Sequence, residues 1–272
     1  MKRNLIYGII AVLLIAIVIT VLYLNFGPSQ ANTGLDDKEV STSFLSTLQG
    51  VANNMSIANQ IGLGSASNLP VKPNSTTPLV ISGKPAVVYI GADYCPYCSG
   101  TKWGLVVALM RFGNFSSLHY MRSSPSDIYP NTPTFTFYNS SYSSLYITFV
   151  GVEELTRTGQ PLQSLTPFEA SIFKNQDINN PNVIPQLKGG IPFIDFGNVS
   201  IQAAAGVMPS VIQQYNWSYI LVQLKNPDSS IAQAIIGGAN IFTAQICKMT
   251  NNSPSNVCSQ QFIKSVNIFT EA

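Results

Sequence analysis

Charge is scarce in this chain. Only 10% of its 272 residues are Asp, Glu, Lys or Arg, against roughly a quarter in an ordinary soluble protein. The net charge of +2 gives no electrostatic footprint for nucleic acid. Histidine is nearly missing: His119 is the sole one. With no second histidine and no serine elbow there is no case for a triad hydrolase. Cysteine is limited to four residues. Long internal repeats are absent, and the glycine-rich Gly62–Ser67 stretch follows no strand, which excludes a dinucleotide loop. Hydrophobic residues are plentiful, at 46%, with 10% aromatic. That excludes disorder and supplies at least one sizeable core. Asn, Ser, Thr, Gln and Tyr carry the polarity. A surface solvated by neutral groups loses little when carboxylates protonate, so the expected pH dependence of stability is weak. Such a surface suits an acidic exterior, as around an acid-loving archaeon.

The longest apolar run is at the start. After Met1-Lys2-Arg3-Asn4, residues Leu5 to Phe26 carry no charge. As a helix this run would extend roughly 33 Å, enough to cross a bilayer core. Lys2 and Arg3 precede it, and Asp36 and Asp37 lie beyond it. The positive-inside rule then predicts a single-pass protein of the cell membrane, with residues 1–4 cytoplasmic and everything after the span extracytoplasmic. The competing reading is a cleaved signal peptide, for which Ser29-Gln30-Ala31 offers a small-x-small site. The run is longer than the usual signal core, which favours a retained anchor. Seven Asn-x-Ser/Thr sequons, at Asn54, Asn74, Asn114, Asn139, Asn198, Asn216 and Asn251, agree weakly with export.

Residues 27–78 read as a Gly/Pro/Ser/Asn-rich linker. Within it Val40, Phe44, Leu48 and Val51 recur at helical spacing with Asp36 and Asp37 available as caps, which predicts a short amphipathic helix leaning on the domain or the membrane surface. The folded domain is expected over 79–272. Ala86–Ile90 reads as a buried strand, and Ser99–Phe112 as a helix with Trp103, Val106, Val107 and Met110 on one face. Strand-like runs follow around Leu118–Met121, Thr134–Tyr138 and Leu145–Gly151. Thr166-Pro167 marks a helix start. Gly197-Asn198 is a hairpin turn between the apolar strands 191–196 and 199–203, and the tail is helical by period.

Chemistry concentrates in "GADYCPYCSGTKW", Gly91 to Trp103. The local order is strand, Cys95-Pro96-Tyr97-Cys98, helix. A cysteine at a helix start meets converging N–H groups and the positive end of the dipole, which favour thiolate. Pro96 fits the first turn, where no amide hydrogen is needed. Cys98, one turn on, can attack a mixed disulfide formed at Cys95. About ninety-four residues after Cys98 comes Ile191-Pro192, opening a strand that leads into a hairpin.

These residues resemble the thioredoxin superfamily: the strand Ala86–Ile90, the Cys95-Pro96-Tyr97-Cys98 turn with its helix, Ile191-Pro192, and the hairpin Phe193–Ala203. The chain is most like membrane-anchored, exported thioredoxin-like proteins of archaea, a group of unknown function included, and is similar to periplasmic disulfide oxidases of the DsbA type. The resemblance implies an α/β thioredoxin-like domain, a central mixed sheet with flanking helices, carrying an insertion at about 114–188 and a helical C-terminus behind one transmembrane helix. It implies thiol–disulfide oxidoreductase activity with no cofactor and no bound metal. Cys95 is then the attacking thiol and Cys98 the resolving one. Pro192, cis in the family, and Ile191 form the ledge that holds the substrate cysteine, and Pro96 and Tyr97 flank the site. The implied partners are cysteine-containing exported proteins and a membrane redox partner such as a quinone-linked oxidase. One departure stands out. The family keeps a buried Asp six residues before the first cysteine, where this chain has Tyr89. Asp93 is nearer the pair and is expected to face solvent.

Cys247 and Cys258 read as a structural disulfide across a turn-rich loop. The alternatives are a non-catalytic binding or assembly module with a structural Cys95–Cys98 pair and, more weakly, a metal carrier using the four thiols. Ten residues separate Cys247 from Cys258, which is wide for a zinc knuckle. His119 is expected to be a packed residue. Glu153-Glu154 reads as a solvated loop end rather than an acid/base pair. The aromatics between Ile128 and Tyr146 are open between strand faces and a peptide groove.

Overall fold

The computed structural model describes residues 34–270. The apolar run Leu5–Phe26, with the anchor and orientation expected of it, lies outside the described residues. Part of what was expected to be a linker is folded into two helices. Helix α1 (Thr42–Ala52) starts at Ser41, whose side chain accepts from Phe44 N, and α2 (Met55–Ile61) starts at Asn54, which accepts from Ile57 N. Ser41, not Asp36 or Asp37, caps α1. Val40, Phe44, Leu48 and Val51 do share a buried face, and that face packs into the main core of the domain. The domain therefore begins well before Leu79.

A five-stranded sheet follows. Its first strands are β1 (Val80–Ile81) and β2 (Lys84–Gly91), and α3 (Pro96–Met110) comes next. An inserted antiparallel ladder, β3 (Gly113–Arg122) with β4 (Pro133–Ser144), forms its own two-stranded sheet. β5 (Thr148–Glu153) returns parallel to β2, with Val88 opposite Val150. Thr166 and Glu169 close a capping box on α4 (Pro167–Phe173), which runs into a π-turn, Lys174–Ile178. β6 (Phe193–Phe196) pairs antiparallel with the other side of β2, and β7 (Ser200–Gln202) pairs with β6. Gly197 and Asn198 take positive φ in the turn between them, the conformation glycine and asparagine accept most readily. The order across the sheet is thus β5-β2-β6-β7, with β1 also on β2. The rest is helical: α5 (Trp217–Gln223), α6 (Ser230–Met249), α7 (Ser255–Cys258) and α8 (Gln261–Thr270).

β2 is buried from Ala86 onward because both faces are covered. Val87, Tyr89, Ile194 and Phe196 pack in the core with α3 and α6, while Ala86, Val88, Ile90 and Phe193 pack with Ile172 and Phe173 of α4 and with Val183. The α3 face read from the sequence is only part of the truth: every residue of this helix except Tyr97 is buried. A helix apolar almost all round is a core helix. Gly100 is what lets another chain segment close on it. A β-carbon there would stand 2.2 Å from the Val207 carbonyl oxygen. The indoles of Trp103 and Trp217 donate to the carbonyls of Pro133 and Thr134, at 2.9 and 2.6 Å, pinning the insertion to the core. Among the described residues α6 alone has the length and composition to cross a membrane, but it is buried within the domain.

Cys247 and Cys258 are joined in a disulfide that ties the end of α6 to α7. Closing so short a loop stabilises by about 3 kcal/mol in the chain-entropy model. The Cys247→Ser/Cys258→Ser variant is expected to lose about that much in denaturant unfolding, with Cys95 alkylation unchanged.

The weak pH dependence expected from composition needs correcting, because buried carboxylates decide it. Asp195 on β6 is fully buried; Oδ1 accepts from Asn198 N at 2.7 Å, and Oδ2 has no hydrogen-bond partner. Burial pushes it up to about 7. An acid raised in the folded state stabilises fully below its unfolded value, and that contribution is lost as pH rises through 7. Such a shift corresponds to something on the order of 4 kcal/mol. Stability is therefore expected to fall from pH 4 towards pH 8, the window fixed by the ordinary value of 3.8 and the raised one. Asp195→Asn keeps the Oδ1 acceptor and should flatten that slope in urea unfolding.

Candidate functional site

Cys95 is the N-cap of α3, and Pro96 occupies the first turn. The sulfur of Cys95 accepts from the backbone N–H of Cys98 at 3.1 Å. Both cysteines are free thiols, Cys95 5% exposed and Cys98 fully buried. Their environments push them apart. The Cys98 thiol hydrogen-bonds Cys95 and draws it below the usual thiol value. Burial opposes this, and the Cys98 backbone N–H and the charge of Lys102 reinforce it. Burial drives Cys98 well above the usual value. The two sulfurs are thus displaced in opposite directions, and Cys95 is the more readily ionised of the two.

Ile191 and Pro192 come to this sulfur from 96 residues further along the chain. Their peptide bond is cis, and Cys95 Sγ lies 3.9 Å from the Ile191 carbonyl oxygen. Pro192 is buried, Ile191 half-buried, and Tyr97 half-buried beside Cys95. Tyr97 meets Tyr129 of the β3–β4 loop edge-on, with ring centroids 5.9 Å apart. Of the insertion's aromatics, Phe135 and Phe137 went into the core while Tyr129 went to the site. His119, on β3, is half-buried with an unpartnered Nδ1.

Beneath the pair lies a charge cluster that the sequence reading missed. Lys102, one turn after Cys98 on α3, is fully buried. Its Nζ lies 2.9 Å from Glu153 Oε1 and 3.4 Å from Asp93 Oδ1. Two expectations are overturned here. Asp93 does not face solvent: it is 2% exposed. Its backbone N–H bonds the Leu155 carbonyl, which folds the turn inward. Nor is Glu153 a solvated loop end. As the last residue of β5 it points inward by strand alternation while Glu154 points out, half-buried. Glu153 Oε1 also accepts from Phe137 N at 3.2 Å, and Oε2 has no partner.

One cation between two buried carboxylates leaves an uncompensated negative charge, which a proton neutralises. Burial raises Glu153 to about 7 against the pull of Lys102. Burial likewise raises Asp93. Burial alone would lower Lys102, but Glu153 and then Asp93 hold it above the ordinary lysine value. The cluster therefore keeps its cation and exchanges a proton near neutrality.

Tyr89, six residues before Cys95, is fully buried with its ring edge-on to Phe137 at 5.0 Å. Its hydroxyl lies over Gly91, where a β-carbon would stand 2.1 Å away. Burial, with the negative charges of Cys98 and Glu153, holds it far above the usual phenol value. It stays neutral and cannot serve as a base. The four-thiol metal reading loses two ligands to the Cys247–Cys258 disulfide. Among the described residues no three of His, Cys, Asp and Glu group as a metal site.

Residues 71–248 match the family model described as "Domain of unknown function (DUF929)", and the chain belongs to that family. No curated protein and no solved structure matches the chain.

Proposed function

We propose that this protein is a membrane-anchored, extracytoplasmic thiol–disulfide oxidoreductase on a thioredoxin-like scaffold, forming or rearranging disulfides in exported proteins. The observation that carries this reading is the asymmetric pair: Cys95 lowered at a helix start, Cys98 raised beneath it, and the Ile191 carbonyl beside Cys95 Sγ. The sheet order supports the scaffold. The cysteine pair follows central β2, the next core strand is parallel to it, and the last two run antiparallel as a hairpin opened by Pro192. Five of the seven sequon asparagines, Asn54, Asn74, Asn114, Asn139 and Asn251, are exposed, which is compatible with an exported domain.

In the oxidising direction, a substrate thiolate attacks Cys95 Sγ of the Cys95–Cys98 disulfide. The S–S bond breaks, its electron pair leaves on Cys98 Sγ, and that sulfur takes a proton from the Asp93–Lys102–Glu153 cluster. A mixed disulfide now joins substrate to Cys95. A second substrate thiolate attacks the substrate's own sulfur, and Cys95 departs as the stabilised thiolate. The substrate loses two electrons and the cysteine pair gains them. A membrane disulfide donor, such as a quinone-linked oxidase, would restore the pair.

The test is the reduction potential of Cys95–Cys98, from equilibration with glutathione buffers followed by trapping. Stabilising the Cys95 thiolate favours the reduced form, so the expected potential lies above about −270 mV, towards the −120 mV end of the scale. A pair that resists reduction below about −300 mV would be a structural staple, and the catalytic reading would fail.

A further inference from the structure

The described chain joins the domain at its cysteine-bearing end. Asp36 binds Arg122 through two hydrogen bonds, 3.0 Å to Nε and 2.7 Å to Nη2, and lies 3.6 Å from Arg157 Nη1. Residues 37–40 then run along β3, with Asp37 N bonding Tyr120 O and Val40 N bonding Leu118 O. The same end holds the site. Arg157 Nε donates to Ser123 O at 3.0 Å, and Ser124 N donates to Tyr94 O at 2.9 Å, next to Cys95. The opposite end of α3 is roughly 22 Å away.

If Leu5–Phe26 spans the bilayer, only the seven residues 27–33 separate it from Gly34. Fully extended, they reach at most about 25 Å. We propose that the Cys95 face, rimmed by Tyr97, Ile128, Tyr129 and Ile191, is held against the membrane surface and docks cysteine-bearing extracytoplasmic loops of membrane-embedded proteins. This rests on the anchored oxidoreductase reading above. The rim has the composition for that partner. Ile128 is 71% exposed, and the loop 123–132 carries one charge, Asp127, among Pro, Ser and Tyr. Freely diffusing exported proteins would have to enter the gap between this face and the bilayer, whereas a loop of a neighbouring membrane protein is already in it.

Two measurements on the full chain test the proposal. In liposomes, a fluorophore is attached at Ile128→Cys or Leu145→Cys, each with Cys95 and Cys98 replaced by serine. Leu145 is 88% exposed and lies beside Met110, at the far end of α3. Headgroup-bound quenchers should dim the label at 128 and leave that at 145 bright; equal or reversed quenching overturns the orientation. In native membranes, the Cys95 thiolate of Cys98→Ser should attack substrate disulfides, displace one substrate sulfur as thiolate, and so trap as mixed disulfides multi-spanning proteins with disulfide-bonded cysteines in short external loops. Inserting about thirty Gly/Ser residues into 27–33, an added reach of roughly 30 Å, should cut that trapping severalfold. Trapping of soluble exported proteins, or trapping indifferent to the insertion, overturns the partner. Failure of the parent protein, with Cys95–Cys98 oxidised, to oxidise even a small dithiol peptide would instead sink the redox reading itself, and this proposal with it.

Discussion

Cys95→Ser is expected to lower exchange with a disulfide-bearing peptide by on the order of 10³-fold or more, because it removes the attacking atom. Cys98→Ser should behave differently: the first attack survives and the reaction stalls as a mixed disulfide. The split follows from burial, since Cys95 keeps 5% of its surface while Cys98 has none. It follows also from the opposite displacement of the two thiols. The pH profile of alkylation reads this directly. Cys95 should react with iodoacetamide at a pH below the ordinary thiol range of about 8.5. Cys98→Ala removes the largest influence lowering Cys95, so the profile should move to higher pH. Equal loss in both serine variants without a trapped intermediate, or an unmoved profile in Cys98→Ala, would mean the two sulfurs are not specialised.

How much of this was legible depends on the range of the interactions involved. The Cys95–Cys98 turn and its helix are local: a cap, a proline in the first turn and a buried strand before them suffice. The Thr166–Glu169 capping box and the Gly197-Asn198 turn are local as well. Ile191-Pro192 lies 96 residues from Cys95 along the chain and was reached through family resemblance, since no spacing rule brings those residues together. Lys102 escaped although a signal existed. It is the one charged residue in a helix that otherwise reads apolar or small, and such a lysine must find carboxylates when the helix is buried all round. Which carboxylates it would find was not readable, because Asp93 depends on the turn after β2 and Glu153 on the register of β5 against β2. Glu153-Glu154 shows how a single strand end sends neighbours into opposite environments. Asp195 left a similar trace, as the only charge within an apolar strand. The first helix of the segment 34–61 was legible from its period, but the turn-rich composition hid the second helix and the fact that the apolar faces of both complete the core.

Lys102→Met is expected to have the largest effect on stability, and the effect should depend steeply on pH. The substitution keeps most of the side-chain volume and removes the cation, leaving Asp93 and Glu153 buried together. Breaking a buried pair on one side typically costs about 3–5 kcal/mol. The carboxyls can escape that cost by taking protons. Without Lys102 both move further above their unfolded values, so the folded state holds more protons than the unfolded one over a wider range. Stability is then retained in acid and lost as pH rises. Urea unfolding should show a small deficit near pH 4.5, the ordinary Glu value, and the full deficit above 7, where Glu153 ionises in the parent. Adding Glu153→Gln to Lys102→Met should recover part of the loss at high pH, because one of the two stranded charges is gone. Lys102 also helps lower Cys95, so its alkylation profile should shift upward in Lys102→Met. An equal deficit at both pH values would assign Lys102 a packing role alone, and an unshifted Cys95 profile would disconnect the charge cluster from the thiol chemistry above it.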